Sequence, residues 1–431
     1  MNTGETCKRV KSASLKLAMV HGDKKNKALM NIAEALLSNK DKIFEANNED
    51  LTRSEAENIP EPLLKRLKFD ERKLNDTIEG IHSLAKLDDP VGKTMSCTVL
   101  DDCLELYKVT CPIGVIGVIF ESRPDALVQI STLCLKSGNG VILKGGSEAR
   151  RTNRILSDLI VSASESSCIP AGWCALLETR AEIDELLKQH EYVDLIIPRG
   201  SNDFVRYIMD HSNIPVMGHA DGICHLYIDD YADLRMALKI AIDSKVQYVA
   251  VCNALETLLV HRKIAPAFLP ILKEAADEKH VELLGCSETV SFIPVKAATE
   301  EDWRKEYLDY RLSVKIVGSI DEAIDHINEY GSGHTDSIVT GDREHAAKFM
   351  ALVDSGNVFW NCSTRFSDGY RYGLGAEVGI STGKLHARGP VGLEGLVTYK
   401  YSLVGDGHIV ADYAEKKKTF KHRKLDKEYP F

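Results

Sequence analysis

Val251-Cys252-Asn253 leads straight into the apolar run "ALETLLVH" (254–261), so a single thiol stands just ahead of a segment that must be buried. Such a thiol either packs as a small hydrophobe or, as a thiolate, attacks an electrophile. A second candidate is "VILKGGSEARR" (141–151). There a strand ends in Lys144, two glycines follow, and Ser147 and Glu148 open a helix, which gathers backbone N–H groups and a cation where a phosphate or ribose could sit. The stretch is neither GxGxxG nor GxxxxGK[ST], so nucleotide binding and a plain strand-to-helix turn both stay open. A third is the glycine-rich tract 369–395, in which Arg, Lys and His are interleaved with Leu, Val, Ile and Tyr. That mixture suits an ordered loop system better than low-complexity coil.

The chain around these residues has 431 residues, 44% hydrophobic and 27% charged, an ordinary globular composition for two or three domains. Lysine and arginine number 54 against 64 acids, a net charge of −10 that argues against a nucleic-acid or anionic-membrane surface as the main task. The first residues lack the apolar core of a signal peptide, and no window approaches the length of a spanning helix, so a cytoplasmic protein is expected. Eleven cysteines are present, an odd number with no CxxC and no zinc spacing, and most are expected as free thiols in a reducing compartment.

Residues 8–86 place apolar positions such as Ile32, Leu36, Ile43 and Leu51 at helical spacing and read as a helical opening. "TVLDDCLELYKV" (98–109) reads as a hairpin around an acidic turn. From Val115 short apolar runs alternate with helical patterns. Strands are expected at 115–120, 141–144, 174–177, 193–197 and 224–228, with helices at 124–137, 147–165, 181–190 and 201–211. A second set begins near 229, with strands at 255–261, 281–284, 313–317, 337–340 and 357–361 and helices at 264–279, 321–330 and 342–353. Continuous apolar strands alternating with helices imply an α/β fold with parallel sheets covered on both faces. The tail "AEKKKTFKHRKLDKEYPF" reads as a solvated charge run.

Four ordered segments, 111–153, 245–261, 317–338 and 361–401, closely resemble the γ-glutamyl phosphate reductase (glutamate-5-semialdehyde dehydrogenase) family. The third, "VGSIDEAIDHINEYGSGHTDSI", matches that family's signature V-x(5)-A-I-x-H-I-x(2)-Y-G-S-x-H-T-D-x-I. More distantly the arrangement resembles the aldehyde dehydrogenase superfamily, with Phe120–Pro124, Val141–Glu148 and Tyr248–Cys252 at the places of its own motifs. The resemblance implies an aldehyde dehydrogenase-like fold. It would comprise a Rossmann-type cofactor domain over 1–228 with an oligomerisation hairpin at about 98–111, a catalytic domain over 229–384, and a C-terminal segment, 385–431, returning to the cofactor domain and oligomer interface.

It also implies an activity: NADPH-dependent reduction of L-glutamate 5-phosphate to L-glutamate 5-semialdehyde with release of phosphate, the second step of proline synthesis from glutamate. Cys252 would carry the thioester. Ser122 and Asn253 are the candidate oxyanion donors beside its backbone N–H. Lys144 and Ser147 would meet the adenosine ribose and its phosphate, and Glu306 the nicotinamide ribose of NADPH/NADP. A doubly anionic substrate calls for arginines, here Arg123, Arg365 and Arg388, with Ser363, Thr364 and His386 as neutral or switchable donors. His334, in the signature, is open between a part in the chemistry and the fixing of a loop. Where hydrolytic relatives carry E-L-G-G, this chain has "PVMGHADG" (215–222) with no glutamate to activate water, as a phosphate-releasing reductase requires. A coenzyme-A-dependent acylating enzyme and a non-catalytic relative are the alternatives. No metal is implied, a homo-oligomer is, and a separate glutamate 5-kinase would supply the substrate, with a direct complex plausible.

Overall fold

The computed structural model describes residues 2–219, 221–375 and 377–431. The chain forms two compact units: Met1–Gly200 with Tyr207–Val216 and Gly392–Phe431, and Ser201–Arg206 with Met217–Val391. The division at 216/217 and 391/392 differs from the expected boundaries at 228/229 and 384/385. One apolar strand decides the first difference. Cys224–Ile228, expected in the first set, pairs instead with Leu255–His261 and Thr335–Val339 of the second unit. A wholly buried strand carries no mark of which sheet it joins.

The first unit opens with five helices, the first of them closed by a capping box. The Asn2 side chain accepts from the Glu5 N–H at 2.8 Å and the Glu5 carboxylate accepts from the Asn2 N–H at 3.2 Å. Helix Gly22–Ser38 buries Ala28, Leu29, Ile32, Ala33 and Leu36, a single stripe. The parallel sheet of this unit runs in the order Cys174–Leu177, Gly140–Lys144, Val115–Phe120, Leu195–Arg199. Val115–Phe120 and Gly140–Lys144 are buried at every residue, as central strands must be. The expected hairpin is present as Thr94–Asp101 and Leu104–Pro112. It lies in an antiparallel sheet flanked by Val397–Val404 on one side and Arg423–Leu425 on the other. The tail is therefore not merely solvated: it supplies an edge strand, and Tyr429 packs edge-on against Tyr107 at 5.4 Å between ring centroids.

The second unit holds seven parallel strands in the order Lys296–Ala297, Glu282–Gly285, Arg311–Val317, Leu255–His261, Cys224–Ile228, Thr335–Val339, Asn357–Trp360. Alternation within its central strand shows why both faces are covered. Leu258 and Val260 join a core with Phe268, Leu269 and Leu272 of helix Ala265–Glu278, whereas Leu259 joins one with Ile320, Ile324 and Phe349. Within the glycine-rich tract, Gly379–Ser381 and Gly389–Val391 pair as a short antiparallel ribbon.

Candidate active site

Cys252 lies in the turn between helix Leu234–Val246 and strand Leu255–His261, half-buried and unbridged. The helix begins where the Asp233 carboxylate accepts from the Met236 N–H at 2.8 Å. Near its end Lys245 reaches across the turn to Glu256, the second residue of the strand, at 2.7 Å. Both side chains are fully buried, and Glu256 also accepts from the Leu308 N–H at 3.3 Å. Burial dominates both groups, lowering Lys245 and raising Glu256 to about 7 against the pull of the partner charge. This pair clasps the two ends of the turn that carries the thiol.

Further segments of the same unit close on that turn. Gly222 presses directly on it: a Cβ there would stand 2.1 Å from the Cys252 carbonyl oxygen and 2.5 Å from its Cα. The Cys224 thiol, pushed well above its ordinary range by burial, donates to the Cys252 carbonyl at 3.2 Å. Thr364 Oγ1 donates to the Asn253 carbonyl at 2.8 Å, and Asn253 Nδ2 donates to the Ser367 carbonyl at 2.6 Å. Ser363 Oγ bonds Ser244 Oγ at 3.1 Å. Arg365, buried, donates from Nε to Gln247 Oε1 at 2.9 Å. Its guanidinium is pulled down by burial first and by Arg371 second, and a charge on Cys252 acts on it in the opposite direction. The loop 361–367 therefore divides its labour. Ser363 and Thr364 hold the turn, and Arg365 brings a cation into the field of the thiol.

Two histidines stand beside the sulfur: one ring nitrogen of His219, one of His334 and Cys252 Sγ lie within 4.8 Å of one another. Glu306 belongs to this unit as well. Its carboxylate accepts from Asn202 Nδ2 at 2.6 Å and from the Gly222 backbone N–H, and burial raises it above the usual carboxylate range. Asn202 Nδ2 also donates to Asp221 at 2.9 Å, and Asp221 pairs with Arg206. The one carboxylate of 215–222 is thus already engaged. In the glycine-rich tract, Arg388 pairs with the Asp354 carboxylate at 3.1 Å and donates to its carbonyl, and His386 is exposed.

In the first unit, the candidate residues gather at the end of strand Gly140–Lys144. Lys144 is buried and donates to the Gly145 carbonyl. Burial lowers its pKa, against the carboxylates of Glu148, Glu182 and Glu178. Ser147–Ala149 forms a single 3-10 turn before helix Arg150–Glu165. Two residues of helix Lys40–Ala56 brace it. Arg53 donates to the carbonyls of Ser147 at 2.7 Å and Glu148 at 3.0 Å, and Asp50 accepts from the Thr152 N–H at 2.9 Å and hydroxyl at 2.8 Å. The Glu148 carboxylate folds back over Gly146, where a Cβ would meet it at 2.0 Å, and accepts from the Ser122 N–H at 2.6 Å and hydroxyl at 2.8 Å. Ser122 has φ +44°, a left-handed conformation that these two bonds hold in place. Its hydroxyl proton is committed to Glu148. Arg123, half-buried, precedes helix Pro124–Lys136.

The structure therefore brings Cys252, Asn253, Ser363, Thr364 and Arg365 together in one unit, and Lys144, Ser147 and Ser122 in the other. His219, Gly222, Asn202 and the Lys245–Glu256 pair were not foreseen from sequence. The stretch 215–222 was read for the glutamate it lacks, and its histidine and closing glycine were the available signal.

A parallel α/β sheet with a cysteine on a turn ahead of its central strand, and a second sheet ending in a Lys-Gly-Gly-Ser-Glu loop, is the ground plan of an oxidoreductase that works through a thiol. The aldehyde dehydrogenase family model matches residues 6–310, and the chain belongs to that family. Within it, the chain is 68% identical over 430 residues, the whole of both sequences, to the gamma-glutamyl phosphate reductase of Acetivibrio thermocellus. It is also 68% identical to that of Pelotomaculum thermopropionicum over 100% of this chain and 99% of the relative. The crystal structure of gamma-glutamyl phosphate reductase from Thermotoga maritima superimposes with a TM-score of 0.93 at 39% identity, covering 95% of this chain and 100% of that one. An acetylating aldehyde dehydrogenase from Geobacillus thermoglucosidasius, 16% identical with a TM-score of 0.64 over 94% and 97% of the two chains, shares the fold.

Proposed function

We propose that this chain reduces L-glutamate 5-phosphate to L-glutamate 5-semialdehyde, releasing phosphate, with NADPH as the reductant and Cys252 as the nucleophile. The thiolate attacks the acyl carbon, the carbon–oxygen bond to phosphate breaks, and a thioester remains on the sulfur. A nicotinamide cofactor, when bound, supplies the hydride that carries the thioester to a thiohemiacetal. The carbon–sulfur bond then breaks, the aldehyde leaves, and Cys252 is restored.

Several residues support this chemistry. The buried Arg365 offers a cation to one anionic end of the substrate, with Arg123 and Arg388 the candidates for the other. The backbone N–H of Cys252 is the primary oxyanion donor. Asn253 has one amide hydrogen on the Ser367 carbonyl, so its remaining amide hydrogen is what it can offer. Ser122 serves by holding its turn through Glu148. Lys144 and Ser147, at a strand end opened by two glycines, suit an adenosine ribose and its phosphate, and Glu306, half-buried and bonded to Asn202, suits a ribose hydroxyl. We further place the protein in the cytoplasm, as a homo-oligomer assembled through the sheet containing the hairpin and Val397–Val404, fed by a separate glutamate 5-kinase. No described helix is long and apolar enough to cross a membrane.

The observation that carries the reading is the clasped turn that holds a half-buried Cys252 beside Arg365. Its test is phosphate-dependent reduction of NADP⁺ by glutamate 5-semialdehyde, with wild type and Cys252→Ser side by side. Activity that requires phosphate and falls by about 10⁴-fold or more in the variant is expected. Turnover that survives the substitution would move the nucleophile elsewhere, and a coenzyme A requirement in place of phosphate would reassign the reaction.

A further inference from the structure

The trio of His219, Cys252 and His334 has a donor set that the reduction does not need. Thioester chemistry asks for the sulfur and an oxyanion site, whereas two imidazoles converging on one thiol are the ligands of a borderline-soft divalent cation. Both rings are fixed from behind. His219 Nδ1 lies 2.8 Å from the Ile380 carbonyl, which can only accept, so Nδ1 carries the hydrogen and the lone pair sits on Nε2. His334 Nδ1 lies 2.8 Å from Thr335 Oγ1. His334 is fully buried, and its Nε2 has no hydrogen-bond partner among the described residues. A buried imidazole nitrogen without a partner is costly and calls for one. A histidine held through one ring nitrogen, with the other turned to the ion, is the usual arrangement for metal ligation.

We propose that His219, Cys252 and His334 form a binding site for a zinc-class divalent cation, and that occupancy withdraws the Cys252 thiol from reaction with electrophiles. Ligand atoms around a tetrahedral zinc stand roughly 3.3–3.8 Å apart. The three atoms, within 4.8 Å of one another, have to draw in by about 1 Å on binding. Binding releases the thiol proton to solvent, and the sulfur's lone pair is given to the metal. Three protein ligands leave a fourth position for water. Cys224, whose thiol is 3.7 Å from His334 Nδ1, is engaged with the Cys252 carbonyl and stays outside the set. Metal excess would thus switch the thiol off reversibly. That consequence for turnover rests on Cys252 being the nucleophile, whereas the binding does not.

The test uses the full chain, freed of metal with a chelator and titrated with Co²⁺. A thiolate-to-cobalt charge-transfer band that saturates at one ion per chain is expected. Cys252→Ser abolishes it, and His219→Ala and His334→Ala each weaken binding by about 100-fold. In parallel, Zn²⁺ protects Cys252 from alkylation by iodoacetamide, read by peptide mass, and chelation restores the reaction. Because His334 is buried, its variant is paired with a thermal melt, and the half-buried His219 carries the affinity measurement if that variant does not fold. The absence of the band, a band that survives Cys252→Ser, or alkylation indifferent to zinc overturns the proposal. None of these readouts uses turnover, so an active Cys252→Ser enzyme would overturn the proposed function and leave the cation site standing.

Discussion

The Cys252 turn and the Lys144 loop solve the same problem in different ways. Each joins a candidate site residue to a wholly buried strand, but Lys144 ends its strand and Cys252 comes before its own. At the loop, the residues that shape the turn are contiguous: two glycines, Ser147 and Glu148, with outside help from Asp50, Arg53 and Ser122. At the thiol, the shape comes from four places in the chain, namely Gly222 and Cys224, Ser244–Gln247, Glu256, and 363–367. A strand end can be positioned by its own neighbours. A residue ahead of a strand hangs on a turn and must be held from outside.

Substitutions at three places, the Lys245–Glu256 pair, Gly222 and Glu148, sharpen that contrast beyond the loss of turnover expected of Cys252→Ser. The largest effect on stability is expected from Glu256→Gln, which leaves a buried Lys245 without its counter-charge and costs about 3–5 kcal/mol in denaturant unfolding. Replacing both partners together, Lys245→Met with Glu256→Leu, should restore stability to within about 1 kcal/mol. If the double variant is stable yet slow, the ion pair holds the geometry of the Cys252 turn; if it is fully active, packing alone suffices. Next comes Gly222→Ala. Its Cβ would overlap backbone atoms of Cys252, which cannot rotate away as a side chain can, so the turn must shift. A displacement near 1 Å at a reacting atom lowers kcat by roughly 100-fold, with the fold retained by circular dichroism.

Those residues also mark the limit of what the sequence made legible. Continuous apolar runs such as "VIGVIF" and "LETLLVH" were readable as parallel strands because burial on both faces erases alternation. For the same reason Cys224–Ile228 carried no sign of which sheet would take it. Cys252 and Lys144 could be singled out because each has its context in the adjacent residues. Glu256 lies within an apolar run, but nothing in the sequence names Lys245, eleven positions before it, as its partner, and only the fold shows the two paired and buried. Gly222 reads as a loop glycine until the backbone it touches is known. His219 and His334, 115 positions apart by their numbering, become one site only through the sheet that brings them together.

The smallest effect is expected at the Lys144 loop, and it tests whether that loop is as self-sufficient as its sequence suggests. The Glu148 carboxylate holds Ser122 in a left-handed conformation by accepting from both its N–H and its hydroxyl. Glu148→Gln keeps one acceptor oxygen and loses the charge, so the two bonds weaken without vanishing and about 1–2 kcal/mol is lost. Glu148→Ala removes the acceptor, and the Ser122 N–H must find water. If Lys144 and Ser147 meet the cofactor, both variants should raise the KM for NADPH, the second more than the first, with kcat nearly unchanged because the thiol turn is untouched. An equal fall in kcat would instead mean that Ser122 takes part in the transition state. That outcome would place the oxyanion reading of its hydroxyl ahead of the positioning role that its bond to Glu148 now supports.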